Sequence, residues 1–220
     1  MKSTLVNMVV VLFCITLVAS AGVGSIYQVT KEPIEKTLAD AEANAVKDVL
    51  NGIDFEQVSP ADTTYKQLAI YRALKGGEVV AYAVKSTNLT RDGFNGKFTL
   101  MVGYTLDGTV NNVAVVEQNE TPGLGSNMCK ADNPLYRGVV GQNTGEQLAA
   151  GKLAVTKDGG EVDALTAATI SSRAYLNAVE VAYAAFSLAR KADFPAAAEP
   201  AAEEVVEQAE PEAQEGVTNE

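Results

Sequence analysis

From Leu5 to Ile26 the chain is apolar almost without interruption, and no charged residue lies between Lys2 and Lys31. About 20 apolar residues cross the hydrocarbon core of a bilayer as one helix. Residues 1–27 are therefore expected to form a transmembrane anchor with a short N-terminal end. A cleaved secretory signal is the competing reading. Ala19-Ser20-Ala21 has the small residues that such cleavage uses, and Lys2 supplies a minimal basic start. The apolar run continues past that point through Val23 and Ile26 to Tyr27, which favours a retained anchor. Lys2 opposes Lys31 and Lys36, so the positive-inside rule barely decides the orientation.

Beyond the anchor the apolar positions recur at three and four. Ile34, Leu38, Ala41, Ala45 and Val49 follow Pro33, a good first-turn residue, and predict an amphipathic helix that stops at Asn51-Gly52. That helix either continues the span or bends away at Pro33. The period then changes to two. Gln67–Leu74 and Glu78–Ser86 flank Lys75-Gly76-Gly77, and Lys97–Thr105 and Thr109–Gln118 flank Leu106-Asp107-Gly108. Both patterns predict hairpins. Leu100, Val102, Val113 and Val115 alternate as one buried face requires. A short helix is expected around Ser126–Lys130, a short strand at Lys152–Thr156, and a last helix from about Thr169 to Lys191. The fold class is thus α+β, an antiparallel sheet flanked by helices within residues 28–191. From residue 192 to 220 the chain turns to Ala, Glu, Pro and Gln, has little to bury, and reads as a disordered acidic tail.

Charge changes this picture only at the tail. The formal charge is −11, but eight Glu and no Lys or Arg lie between Ala196 and Glu220, which leaves about −3 for the rest. No basic cluster points to nucleic acid. The chain has no His, which excludes a Ser-His-Asp triad, a Cys-His pair and a histidine metal site. Cys14 and Cys129 are the only cysteines, too few for the four thiolates of a protein-held iron–sulfur cluster. Cys129, close after a Gly-Leu-Gly stretch, reads as a small buried residue, with a place beside a bound cofactor as the alternative. No catalytic or metal-ligating set emerges, so redox chemistry in this chain needs an organic cofactor.

Two short stretches carry candidate chemistry. Asp163–Ser172 reads D-A-L-T-A-A-T-I-S-S at the expected start of the last helix. A helix N-terminus has unpaired N–H groups and partial positive charge, which suit a phosphate. Small residues at Ala167 and Ala168 let an anion approach the backbone, and a threonine hydroxyl can bond to a phosphate or be esterified by one. Read alone, the same residues also suit a threonine cap. Glu120–Gly125 reads E-T-P-G-L-G at the end of a strand. Pro122 fixes one backbone angle while Gly123 and Gly125 tolerate positive φ, so the loop is shaped and nearly bare. It can lie against a flat ring or a phosphate, or serve as an ordinary strand-to-helix turn.

Together, E-T-P-G-L-G and a later D-x-x-[S/T]-G-A-T pattern resemble the FMN-binding domain of ion-pumping electron-transport complexes, in particular the G subunit of the Rnf complex. The resemblance spans roughly residues 1–191 and leaves out the acidic tail. It implies FMN joined through its phosphate, by a flavin transferase, to the last threonine of the pattern, which is Thr169. Asp163 and Thr166 fill the first and fourth positions, and Ala167 stands where the family usually has glycine. The cofactor-binding residues it implies are Asp163, Thr166, Ala167, Ala168 and Thr169, together with Glu120, Thr121, Leu124 and Gly125 of the loop. It further implies a single-pass protein of the cell inner membrane with its C-terminal domain on the periplasmic side. Such a protein relays electrons among the other membrane subunits of a Rnf-type complex rather than acting as an enzyme on its own. The related C subunit of the sodium-translocating NADH:quinone reductase, or a stand-alone FMN-binding protein, is the alternative reading of the resemblance. An anchored interaction module without flavin is the reading from another class.

Overall fold

The computed structural model describes residues 5–58 and 68–195. The acidic tail from residue 196, and Gln67 at the start of the first expected strand, lie outside the described residues. The elements are α1 (Leu5–Val49), β1 (Phe55–Val58), β2 (Ile70–Lys75), β3 (Glu78–Thr87), β4 (Thr99–Thr105) and β5 (Val110–Glu117). A 3-10 turn at Gly125–Cys129, α2 (Pro134–Val139), α3 (Thr144–Ala149), a second 3-10 turn at Thr156–Asp158 and α4 (Thr169–Asp193) complete the chain.

The sheet is an antiparallel meander in the order β1-β2-β3-β4-β5. Both expected hairpins form, with Gly76, Gly77 and Gly108 at positive φ in the turns. Four strands were expected in the sheet and five form there, because β1 adds to the edge of β2. The strand expected at Lys152–Thr156 is absent. That stretch makes a single bridge, Val155 to Val162, and then closes into the 3-10 turn at Thr156. Cys129 is exposed rather than buried, because the turn that carries it turns its side chain outward.

Each face of the sheet is covered by one helix. On one face Tyr82, Leu100, Val102 and Tyr104 pack against Ala174, Tyr175, Ala178, Val179, Ala182 and Phe186 of α4. Alanines at 174, 178 and 182 bring the helix close, and the Tyr104 and Phe186 rings stack with centroids 4.8 Å apart. Ser86 Oγ donates to the Ala178 carbonyl at 2.6 Å and Tyr104 OH to the Val179 carbonyl at 3.1 Å, so the sheet also grips the middle of α4. On the other face Ala45, Val46, Val49 and Leu50 cover Tyr71, Ala73, Ala83 and Met101. Burying an aliphatic or aromatic side chain of this kind contributes about 1.5–3 kcal/mol.

α1 is one continuous helix through Pro33, and residues 5–40 are exposed. The expected boundary at residue 27 therefore falls inside a helix. Its C-terminal end is seated by Gly103, where any Cβ would run into the Val49 carbonyl, and by Asn111 Nδ2, which donates to that carbonyl at 2.6 Å. Seven residues earlier, Glu42 accepts from Tyr71 OH at 2.7 Å and pairs with Lys85 Nζ at 2.5 Å. Burial alone would raise the Glu42 carboxyl. The bonds from Lys85 and Tyr71 and the Lys85 charge outweigh that and hold it below the ordinary value.

These contacts orient the domain on its stalk. Lys85 pairs with Met101, two residues from Gly103 toward Thr99. Followed backward from Val49, α1 thus leads toward the sheet end formed by Thr87, Thr99 and Glu117. α4 starts near that end too. It passes Ser86 at Ala178 and finishes at the opposite end, where Asp193 accepts from Tyr82 at 2.7 Å.

Candidate functional site

Three segments meet at the sheet end just described: the β3–β4 loop, the loop that follows β5, and the start of α4. Between them lies a cavity of about 300 Å³. The β3–β4 loop contributes Phe94, the second segment Glu120, Thr121, Leu124 and Gly125, and the third Ala167 through Ser171. Seven of the nine residues singled out in the sequence line it. Asp163 and Thr166 do not; both are exposed on the turn that leads into α4. Sequence reasoning missed Phe94 and Ile170, set Ser171 aside because it lies out of register with the motif, and missed Lys157, which stands beside the wall.

The start of α4 is shaped by its backbone. Ala167 has φ 57°, in the left-handed region, and Ala168 is the cap residue with no side-chain hydrogen bond to the helix. The first helical amide to pair backward is Ser172 N–H, which donates to the Ala168 carbonyl at 2.9 Å. Thr169, the first helical residue, is half-buried at the cavity wall. The threonine cap that the sequence alone allowed is thus not used, and the hydroxyl of Thr169 accepts from Lys157 Nζ at 3.4 Å. Lys157 is carried by the 3-10 turn, which Asp158 fastens to α4 through a two-bond pair with Arg173, 2.7 and 2.6 Å. The Arg173 hydrogen bonds hold Asp158 below the usual carboxylate value.

The cavity floor is held by a buried acid. Ser171 Oγ donates to Glu120 Oε2 at 2.9 Å, joining the post-β5 loop to α4. Gly125 fits there because a Cβ would sit 2.6 Å from Glu120 Oε2 and 2.7 Å from Ser171 Oγ. The rim is apolar. Outside α1, four large hydrophobic side chains are exposed among the described residues, and three of them, Phe94 (66%), Leu124 (40%) and Ile170 (50%), line this one cavity. Clustered exposed apolar surface of this kind marks a binding site. The residues fit a flat, largely apolar ring with an anionic group at the unpaired amides of α4 and Lys157. A second, larger hollow of about 500 Å³ flanks α4 at Arg91, Asp158, Arg173 and Asn177. It contains none of the motif residues, and Arg173 and Asp158 already satisfy each other, so it is not the better candidate.

Comparison with known proteins agrees with this geometry. The FMN-binding domain family matches residues 93–184, a span that begins at the β3–β4 loop and ends within α4. The G subunit of the ion-translocating oxidoreductase complex of Pseudoalteromonas atlantica is 42% identical over 114 residues, half of either chain. The protein of that name from Haemophilus influenzae is 34% identical over 167 residues, 73% of this chain and 78% of that one. The G subunit of the Na(+)-translocating ferredoxin:NAD(+) oxidoreductase complex of Acetobacterium woodii is 28% identical over 183 residues, 78% of this chain and 86% of the other. With the cavity and its motif residues, these matches place the chain in the G-subunit family of ion-translocating oxidoreductase complexes.

Proposed function

We propose that this chain is the membrane-anchored FMN subunit of a Rnf-type complex and that Thr169 Oγ1 is the atom to which the FMN phosphate is joined. The observation that carries the attachment is the position of that hydroxyl. It stands on the cavity wall, at the first residue of a helix without a side-chain cap, with an ammonium group 3.4 Å away. When bound, FMN supplies the one- and two-electron chemistry that this chain's own side chains lack. The protein's part is to bind, orient and shield. Phe94, Leu124 and Ile170 offer the ring an apolar seat, Gly125 lets the backbone approach, and the α4 amides with Lys157 receive the phosphate charge. The phosphoester removes the dissociation that would otherwise drain the cofactor on the periplasmic side of the inner membrane, where we place the domain. Its partners are the other membrane subunits of the complex, and a flavin transferase for maturation. The apolar span holds no Asp, Glu, Lys or Arg, so ion coupling belongs to those subunits.

The test is the intact mass of the protein co-produced with a flavin transferase. The expected product carries one FMN less one water, and peptide mapping places it within Asp163–Arg173. A Thr169→Val variant should stay at the unmodified mass. A Thr169→Val protein that still carried covalent FMN would overturn the site, and a colourless wild-type chain would favour the flavin-free module.

A further inference from the structure

We propose that the Glu120 carboxylate is the acceptor that the cavity presents to a hydrogen-bond donor of the flavin, and that its charge holds the flavin's reduction potential down. The inference rests on FMN being the occupant of this cavity. Glu120 is 6% exposed and is the only ionisable side chain among the lining residues. Its carboxyl group is closely enclosed by backbone. A Cβ at Gly93 would overlap Oε1, and one at Gly125 would sit 2.6 Å from Oε2, so two glycines make room for it. Yet its partners are few. Oε2 accepts from Ser171 at 2.9 Å, whereas Oε1 has the Asn95 N–H at 3.5 Å, the outer limit of a hydrogen bond. Among the described residues no Lys or Arg forms an ion pair with it.

A carboxylate has about four acceptor positions. Burying one with a single good hydrogen bond and no counter-charge is costly unless something else supplies donors. The rest of the wall is mostly apolar, so the donor is expected from the occupant. FMN carries two kinds, the imide N–H of its ring and the hydroxyls of its ribityl chain. A negative charge beside the ring in a poorly solvated site also opposes electron uptake. The alternative is a mechanical latch, in which Glu120 only ties Gly93, Gly125 and Ser171 together.

The experiment uses the full chain loaded with FMN by co-production with the transferase, and checks loading by mass. Glu120→Gln keeps the shape and an oxygen for the Ser171 hydroxyl but removes the charge. Its midpoint potential should shift positive. Ser171→Ala cuts the tie and leaves the charge, so its shift should be clearly smaller. Potentials that move alike in both variants, or that do not move in loaded Glu120→Gln, would overturn the proposal. A second measurement needs no flavin: the melting temperature of Glu120→Gln in the never-loaded Thr169→Val background. An uncompensated carboxylate predicts a higher melting temperature than Thr169→Val alone; an unchanged one, as for a latch whose Ser171 bond the glutamine keeps, or a lower one would overturn the proposal even if Glu120→Gln failed to take up FMN. A wild-type chain that carried no FMN would reject the attachment at Thr169 separately, and the never-loaded pair would still decide the state of Glu120.

Discussion

Ala167 explains why its position favours glycine. With φ at 57° it holds a conformation that costs a residue with a Cβ roughly 1–2 kcal/mol. Ala167→Gly should therefore raise stability by about 1 kcal/mol, read as a higher urea midpoint at unchanged slope. Loading at Thr169 should persist, since neither the hydroxyl nor Lys157 changes. Lys157 itself makes a second prediction. If it receives the phosphate, Lys157→Gln should slow flavin attachment by about fivefold, the scale of one partly exposed ion pair. Lys157→Arg should stay near the wild-type rate in the same mass time course. The motif residues were legible in the sequence, but the reasons for them were not. A pattern of letters does not show a positive φ at Ala167. Nor does it show that Phe94, in a polar loop far from either motif, closes the rim. Phe94 between Gly93 and Asn95 was the one readable hint: a large aromatic in a loop with nothing nearby in sequence to pack on.

At the scale of elements, long periodic stretches were read correctly, whereas of the short ones only the helix expected around Ser126–Lys130 formed, as the 3-10 turn at Gly125–Cys129. β2 to β5 and α4 carry enough alternation to declare themselves. β1 has four residues and α2 and α3 six each, too few for a period. The caps were the signal that could have found the two helices. Asn133 precedes Pro134 and accepts from Tyr136 N–H at 2.9 Å, and Asn143 accepts from Glu146 N–H at 3.1 Å. Lys152–Thr156 misled because its alternation leads into a turn at Gly159-Gly160 rather than to a partner strand. The junction of α1 with the sheet makes an element-scale prediction. Glu42 is held below its unfolded value of 4.5, so its contribution to docking α1 is fully present above that pH. It is lost as pH falls through the lowered folded value. Protection of the α1 amides around Ala45–Val49, measured as the exchange rate relative to the intrinsic rate at each pH, should therefore fall below about pH 4.5. Glu42→Gln should remove that step, because its amide does not titrate in this range.

At the scale of the whole molecule, anchor and domain share a helix but not a core. Residues 5–40 are exposed in the described structure, so the sheet and α4 do not need them for burial. A chain that starts at Gln28 should fractionate as a soluble protein, keep its melting temperature within a few degrees, and still accept FMN from the transferase. A collapse of the fold on that truncation would show that the stalk does more than hold. The apolar segment was plain from composition, whereas the continuity of α1 through Pro33 was not. Sequence left both a bend and a straight run open, because proline suits a first turn as well as it disfavours an interior one.

That continuity decides how the cofactor searches for its partners. A flexible tether would let the cavity roam a broad hemisphere above the bilayer, and its local concentration near any one partner would be diluted over that volume. With the membrane exit taken at Gln28, the helix to Asp40 would instead set a standoff of about 20 Å, at 1.5 Å per residue, and leave mainly rotation about its own axis. The cavity then sweeps a ring at fixed height. Electron donors and acceptors must stand on that ring, and four residues inserted into the stalk would lift it by about 6 Å and turn it by about 40°, out of reach of both without touching a single residue of the site.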